Sequence, residues 1–319
     1  MKKFWLLCFI YLLLIPSSWG AWKITGDSSP ADVTRLGLGT RQMGMGRAGV
    51  AMGDDSGGWL LNPAGLAGIR SMEVNTMMTR LIGAFNYYFL SYVHPAPADT
   101  FGISLLHEDP GSIPRVEELD SNGYPRDSGE VVPAGTNLIV VGYGKKWSRE
   151  IYLGVAVKHM VRYLDNAHGT NTLMDIGVIS TTPFKDLSLG INVVNAAQQG
   201  FRWDTGDPQI TNVPVYYKLG LAWEVLNKQL TLALDDEIGN FNRLNLGAEY
   251  WLTKNLAFRC GTYGEIFTLG LGLRYGFFQL DYAYSYDTLP VEQTAFISMT
   301  FGDARESELE QPEIYILED

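Results

Sequence analysis

The amino-acid sequence predicts an all-β fold: an antiparallel transmembrane β-barrel of about 14 strands, with an N-terminal Gly-rich hatch that contains short helical turns. Three observations predict it. Apolar residues recur with a period of two from residue 71 to Phe301, the signature of strands with one apolar face. Most of the segments carrying this period run about nine to twelve residues, the length a tilted strand needs to cross hydrocarbon. The connections between them alternate between short and long, as in barrels with tight turns at one end and loops at the other.

The chain opens with Lys2 and Lys3, an apolar run from Phe4 to Ile15, then Pro16, Ser18 and Gly20. A charged start, an apolar core and small residues before a cut form an export signal, so residues 1–20 are read as a cleaved signal peptide. The apolar run is shorter than the roughly 20 residues of a spanning helix. Cys8 lies within it, which leaves Cys260 as the other cysteine and no internal disulfide. The formal net charge is −11, and loss of the leader removes two more lysines. Such an acidic chain is not expected to bind nucleic acid.

Residues 21–70 lack alternation and are dense in glycine. They are read as a hatch or plug in the lumen, with a cap over the periplasmic mouth as the alternative. Helical turns are expected through Arg47–Met52 and after Asn62, where Asn62 caps, Pro63 takes the first helical position and Gly68 stops the turn. Gly44, Gly46 and Gly49 also match G-x-G-x-x-G, but no strand precedes them and no βαβ unit follows, so dinucleotide binding is not expected.

Residues 71–302 form the barrel. Strands are placed near residues 71–81, 85–94, 99–108, 136–146, 150–163, 171–183, 186–194, 214–225, 228–236, 241–251, 254–263, 266–275, 277–286 and 292–301. One face is apolar, as in Leu244, Leu246, Ala248, Tyr250 and Leu252, and the other is polar or glycine, as in Asn245, Gly247 and Glu249. A soluble β-sandwich also alternates, but does not call for long strands and one-sided loops together. Tyr92, Trp147, Tyr152, Phe184, Trp223, Trp251, Tyr275, Phe277 and Phe301 cluster near the short turns and are read as an interfacial girdle. The segment 109–135, with six acids and two arginines, is read as a solvated outer loop or a lid over the mouth. Residues 303–319 carry seven acids and one arginine and are read as an acidic periplasmic tail, solvated or docking on a partner.

The stretch from Gly44 to Ala67, with Gly44, Gly46, Gly49, Asp54, Asp55, Asn62, Pro63 and Gly65, resembles the N-terminal signature of the FadL superfamily of outer-membrane barrels, nearest to its PorV/PorQ branch. Thr268–Leu273, Leu280–Tyr284 and Ile297–Phe301 resemble the last strands of that branch. The resemblance implies fourteen strands, an N-terminal hatch and a place in the bacterial outer membrane. It implies either passive transport or binding of small hydrophobic molecules, or a non-transporting role beside the proteins of a type IX-like secretion system or of the envelope.

Chemistry of other kinds finds little support. His94, His107, His159 and His168 lack metal-ligand spacing, no Ser-His-Asp arrangement is recognisable, and neither an enzyme, a metal nor a cofactor is expected. Cys260 shares the apolar face of Leu256 and Phe258 and is expected to face lipid. Lys158, Arg162, Lys218, Glu224, Glu249, Arg259, Arg274, Gln279 and Asp281 fall on the polar face. Mixed-sign pairing that holds the hatch is the first reading, and ligand contact through Arg259, Arg274 and Asp281 the second. The expected partners are outer-membrane lipid and either a small hydrophobic ligand or envelope proteins.

Overall fold

A computed structural model describes residues 39–81, 85–96, 99–119, 123, 125–205, 213–239, 242–286 and 294–302 of the 319. The expected signal peptide, the first part of the N-terminal segment (21–38) and the acidic tail lie outside these residues.

Seventeen strands follow the chain, and fourteen of them close into a barrel. Its wall runs β1 (Glu73–Leu81), β2 (Phe85–Pro95), β3 (Asp99–Asp109), β6 (Ala134–Lys146), β7 (Ile151–Leu164), β8 (Ala167–Thr181) and β9 (Leu187–Gln198). It continues with β11 (Tyr216–Val225), β12 (Leu230–Ile238), β13 (Arg243–Thr253), β14 (Leu256–Tyr263), β15 (Ile266–Tyr275), β16 (Phe278–Tyr286) and β17 (Thr294–Gly302). Every wall pairing is antiparallel, and β1 pairs with β17 from Glu73↔Gly302 to Thr79↔Phe296, which closes the ring. Closure satisfies the backbone of each strand within the wall, as hydrocarbon demands.

Alternation puts the apolar residues outside. Leu269, Leu271 and Leu273 of β15 and Phe258 of β14 are exposed on the outer face, as is Cys260, while Arg259, Thr268 and Asp281 are buried on the inner one. An exposed apolar surface that encircles the molecule is the face of a membrane-spanning barrel. Trp147, Phe184, Trp223, Tyr275 and Phe277 stand exposed near the short turns. Trp251 and Tyr152 do not join them: Trp251 is 7 % exposed, and both line a cavity inside the barrel. Parity explains the difference, because Trp251 lies two residues from the inward Glu249 and Tyr152 two from the inward Gly154.

The short turns gather at one end. One of two residues joins β15 to β16 through Gly276 and Phe277, with Gly276 at φ +56°, a hairpin geometry that glycine accepts without strain. At the other end the structure departs from expectation in two places. Segment 109–135 is not plain loop: β4 (Ile113–Leu119) and β5 (Pro125–Val132) pair as a separate hairpin outside the wall. The loop expected at 164–170 shrinks to Asp165–Asn166, since β8 begins at Ala167, four residues before the expected 171, and pairs with β7 to Leu164↔Ala167. The polar His168 and Thr170 hid that earlier start from a reading based on apolar alternation. After β9, the chain places the short β10 (Arg202–Trp203) against the outer end of β8.

Residues 39–70 run inside the barrel. Helix α1 (Thr40–Gly44) contacts β14–β17, and a 3-10 turn at Pro63–Gly68 contacts β2, β3 and β6–β8. No helix forms at Arg47–Met52. Gly46 and Arg47 adopt φ of +63° and +61°, which ends helical geometry after α1.

Candidate functional site

The segment inside the lumen fits because the strands present glycine where its backbone approaches. A Cβ on Gly154 would overlap Pro63 and Ala64, one on Gly177 would overlap Asn62, and one on Gly190 would overlap Val50. On the opposite wall, a Cβ on Gly44 of the segment would come within 3.0 Å of Gly270 Cα. Gly154, Gly190 and Gly270 on the inner face of the strands are therefore seats for the segment's main chain, and Gly177 for the Asn62 side chain.

Hydrogen bonds fix the seating. Asn62 accepts from Ala64 N (3.1 Å), capping the 3-10 turn, and its Nδ2 donates to Val50 O (2.7 Å). Asp235 of β12 accepts from Gly49 N (2.7 Å) and Val50 N (3.0 Å). Gly46 N donates to Thr268 Oγ1 (2.9 Å), and Trp59 Nε1 donates to Ser91 Oγ (3.0 Å). Gly53 and Gly65 pack backbone to backbone within the segment.

Charge forms the second attachment. Arg41 of α1 makes a bidentate pair with Glu249 of β13, through Nε (2.8 Å) and Nη2 (2.6 Å), while its Nη1 donates to Asp54 (2.7 Å) and Asp55 (2.9 Å). Burial opposes the Arg41 charge, yet Asp54, Glu249 and Asp55 hold its guanidinium above the ordinary arginine value. Glu249 also accepts from Arg259 Nε (2.6 Å), and Arg259 Nη1 donates to Asp281 (2.7 Å). Asp281 accepts from Gln279, Gln279 accepts from Arg274 at 3.1 and 3.0 Å, and the Arg274 guanidinium lies 4.3 Å from the Trp251 ring centre. Of the residues expected on the polar face, Glu249, Arg259, Arg274, Gln279 and Asp281 come together as one network, with Arg259 fully enclosed within it and Arg274 at its edge, whereas Lys158, Arg162, Lys218 and Glu224 lie outside it. Two separate pairs, Lys158–Asp175 (2.6 Å) and Lys218–Glu237 (3.0 Å), brace the far wall.

Beside this network a cavity of about 860 Å³ opens at the short-turn end, lined by Arg41, Asp54, Ile69, Trp251 and Arg274 among others. On the other side of the lumen the wall is apolar. Following the pairing register, the inward residues Met77, Phe89, Leu106, Leu138 and Met160 stand opposite one another on β1, β2, β3, β6 and β7. All five are at most 3 % exposed and pack with Trp59 and Leu66 of the lumen segment. Phe201 and Val213, from the connection between β9 and β11, join the same cluster, with Gln198 bonded both ways to the Val213 backbone (2.6 and 2.7 Å).

Arg41, Asp235 and this apolar row escaped the sequence reading. Arg41 gains meaning only from Glu249, 208 residues away. The apolar row did carry a signal, since β2 at Tyr87, Phe89 and Val93 and β6 at Leu138 and Val140 are apolar at inward as well as outward positions. Among the described residues, no three His, Cys, Asp or Glu side chains are grouped to hold a metal ion.

No protein-family model matches the chain, and no curated protein matches it. Solved structures do resemble it. A crystal structure of the Pseudomonas putida toluene transporter TodX superposes with a TM-score of 0.57 at 13 % identity, covering 84 % of this chain and 98 % of that one. The deltaS2 mutant of the TodX monoaromatic hydrocarbon channel gives 0.58 at 12 % identity, covering 84 % and 99 %. A Pseudomonas aeruginosa FadL homologue gives 0.53 at 13 % identity, covering 84 % and 98 %. At such identities the likeness concerns architecture, and the chain accordingly has the fourteen-stranded fold of the FadL-type outer-membrane barrels.

Proposed function

We propose that this protein resides in the bacterial outer membrane and passively binds and transports small hydrophobic molecules, with residues 39–70 acting as its hatch. The observation that carries the reading is the apolar row Met77–Phe89–Leu106–Leu138–Met160 inside the lumen. Water-filled barrels have polar interiors, so this inward apolar row suits an apolar solute. Resemblance to a toluene transporter and a monoaromatic hydrocarbon channel supports the same substrate class. The hatch would keep the passage closed to ions while the cavity at the short-turn end offers an exit.

The test is uptake of radiolabelled toluene by cells carrying the barrel in their outer membrane. Wild-type protein is expected to raise the uptake rate several-fold over empty cells, and Leu138→Glu, which puts a charge in the apolar row, to remove the gain. Wild-type uptake equal to that of empty cells would overturn the reading.

A second reading, a PorV/PorQ-type partner barrel of a secretion system, draws on the Gly44–Ala67 motif and on the β4–β5 hairpin, whose Val116 and Val131 are 50 % and 57 % exposed outside the barrel. It predicts that large envelope proteins co-purify with the barrel and are lost when residues 113–132 are deleted.

A further inference from the structure

The apolar row ends on β8 at an asparagine. Met160 stands opposite Asn171 in the β7–β8 register, so Asn171 is the next inward residue after Met77, Phe89, Leu106, Leu138 and Met160. It is 2 % exposed, and neither its Oδ1 nor its Nδ2 has a hydrogen-bond partner among the described residues. Leu173 is the next inward residue on its own strand and Phe201 lies over Gly169 on its other side, while across the seam on β7 Lys158 and Arg162 flank Met160. Several other buried amides of the lumen are at least partly used. Asn62 donates to main-chain oxygens, Asn192 donates to Leu61 O, and Asn195 donates to Pro214 O.

An amide buried with both of its groups unmet carries a free-energy cost that a matching solute relieves. The nearby charges are already committed. On β7, Lys158 is paired with Asp175, and Arg162 is bonded to Thr136 through Nε (3.0 Å) and lies 3.8 Å from Glu108. Among the described residues, the two cations that flank Met160 on β7 thus each face a carboxylate already, which leaves neither to neutralise an anionic headgroup. The group that fits is therefore neutral and both donates and accepts, which describes a hydroxyl.

We infer that Asn171 is a specificity-determining residue that selects hydroxylated hydrocarbons, phenols or alcohols, by taking the solute hydroxyl at its amide while the apolar row holds the hydrocarbon body. The inference rests on the transport reading above and deepens it. The hydroxyl hydrogen goes to Oδ1, the hydroxyl oxygen accepts from Nδ2, and no bond is made or broken.

The experiment is calorimetric titration of the purified barrel in lipid nanodiscs with p-cresol and with toluene. Wild-type protein is expected to bind p-cresol about tenfold more tightly than toluene, the gain from roughly one or two net hydrogen bonds. Asn171→Leu, close in volume, is expected to reverse that order while still binding toluene, and Asn171→Ser to keep part of the preference. Heat-modifiable electrophoretic mobility checks that each variant has folded. Toluene bound as tightly as p-cresol by wild-type protein would overturn the assignment of Asn171 and leave the hydrophobic-cargo reading standing, as would a preference unchanged in Asn171→Leu. Failure of wild-type protein to bind either solute would overturn both. The wild-type comparison decides the matter even where a variant fails to fold.

Discussion

Glu249 is the residue on which the lumen segment and the wall depend together. Its two carboxylate oxygens take Arg41 and Arg259, at 2.6–2.8 Å, with a side-chain exposure of 1 %. Removing one member of a buried ionic group strands the others, which typically costs about 3–5 kcal/mol. Glu249→Ala should therefore lose stability of that order in urea unfolding followed by tryptophan fluorescence, and should leak ions when reconstituted in a planar bilayer. A loss below about 1 kcal/mol, with no leak, would show that Asp54, Asp55 and Asp281 suffice for the two guanidiniums. Removing both charges, as in the pair Arg41→Met with Glu249→Leu, should do less damage per residue, since the buried charge left behind is the costly part.

At the scale of elements, the strands were legible in the sequence because period-two alternation survives whatever the residues touch. The one misplaced helical turn and the β4–β5 hairpin were not. Arg47–Met52 has helix-compatible residues, but Thr268 and Asp235 claim the main-chain N–H groups of Gly46, Gly49 and Val50. The hairpin at 113–132 is short and charged and its strands pair with each other outside the wall, so apolar alternation did not reveal it. In the glycine-rich stretch, Gly44, Gly46, Gly49, Asn62 and Pro63 lie against the wall. Their counterparts on the strands were visible only as a polar-or-glycine face, because which glycine meets which backbone atom is set by the register of strands far along the chain. Gly177→Val tests that reading of the strand glycines. It should displace the Asn62–Pro63 turn and raise bilayer conductance while the wall still forms, whereas Ile176→Val, one residue away on the outer face, should change neither. Equal conductance in the two variants would mean that the turn does not seal the lumen.

For the molecule as a whole, the decisive property is the inversion of a soluble protein's surface: leucine, phenylalanine and valine outside, ion pairs within. Leu271 lies mid-strand on β15 and is 42 % exposed. A charge placed at such a height faces hydrocarbon, so Leu271→Arg should cost about 2–4 kcal/mol in folding into lipid vesicles. The same barrel refolded into detergent micelles, where a guanidinium finds water more readily, should lose less. An equal loss in both would place Leu271 away from the membrane midplane.

The seam between β1 and β17 has a further consequence, for how the chain must be made. The first and last wall strands are neighbours, joined by seven register pairs, so every earlier strand can find its partner while the ring still lacks its final segment. Until Thr294–Gly302 arrives, β1 and β16 offer bare edges of the kind that recruit other chains. Delivery to the membrane therefore has to be of whole polypeptides, held apart from one another until the last strand is in hand. A chain truncated before Thr294 would not yield a narrower pore but a sticky open sheet, fit for proteolysis.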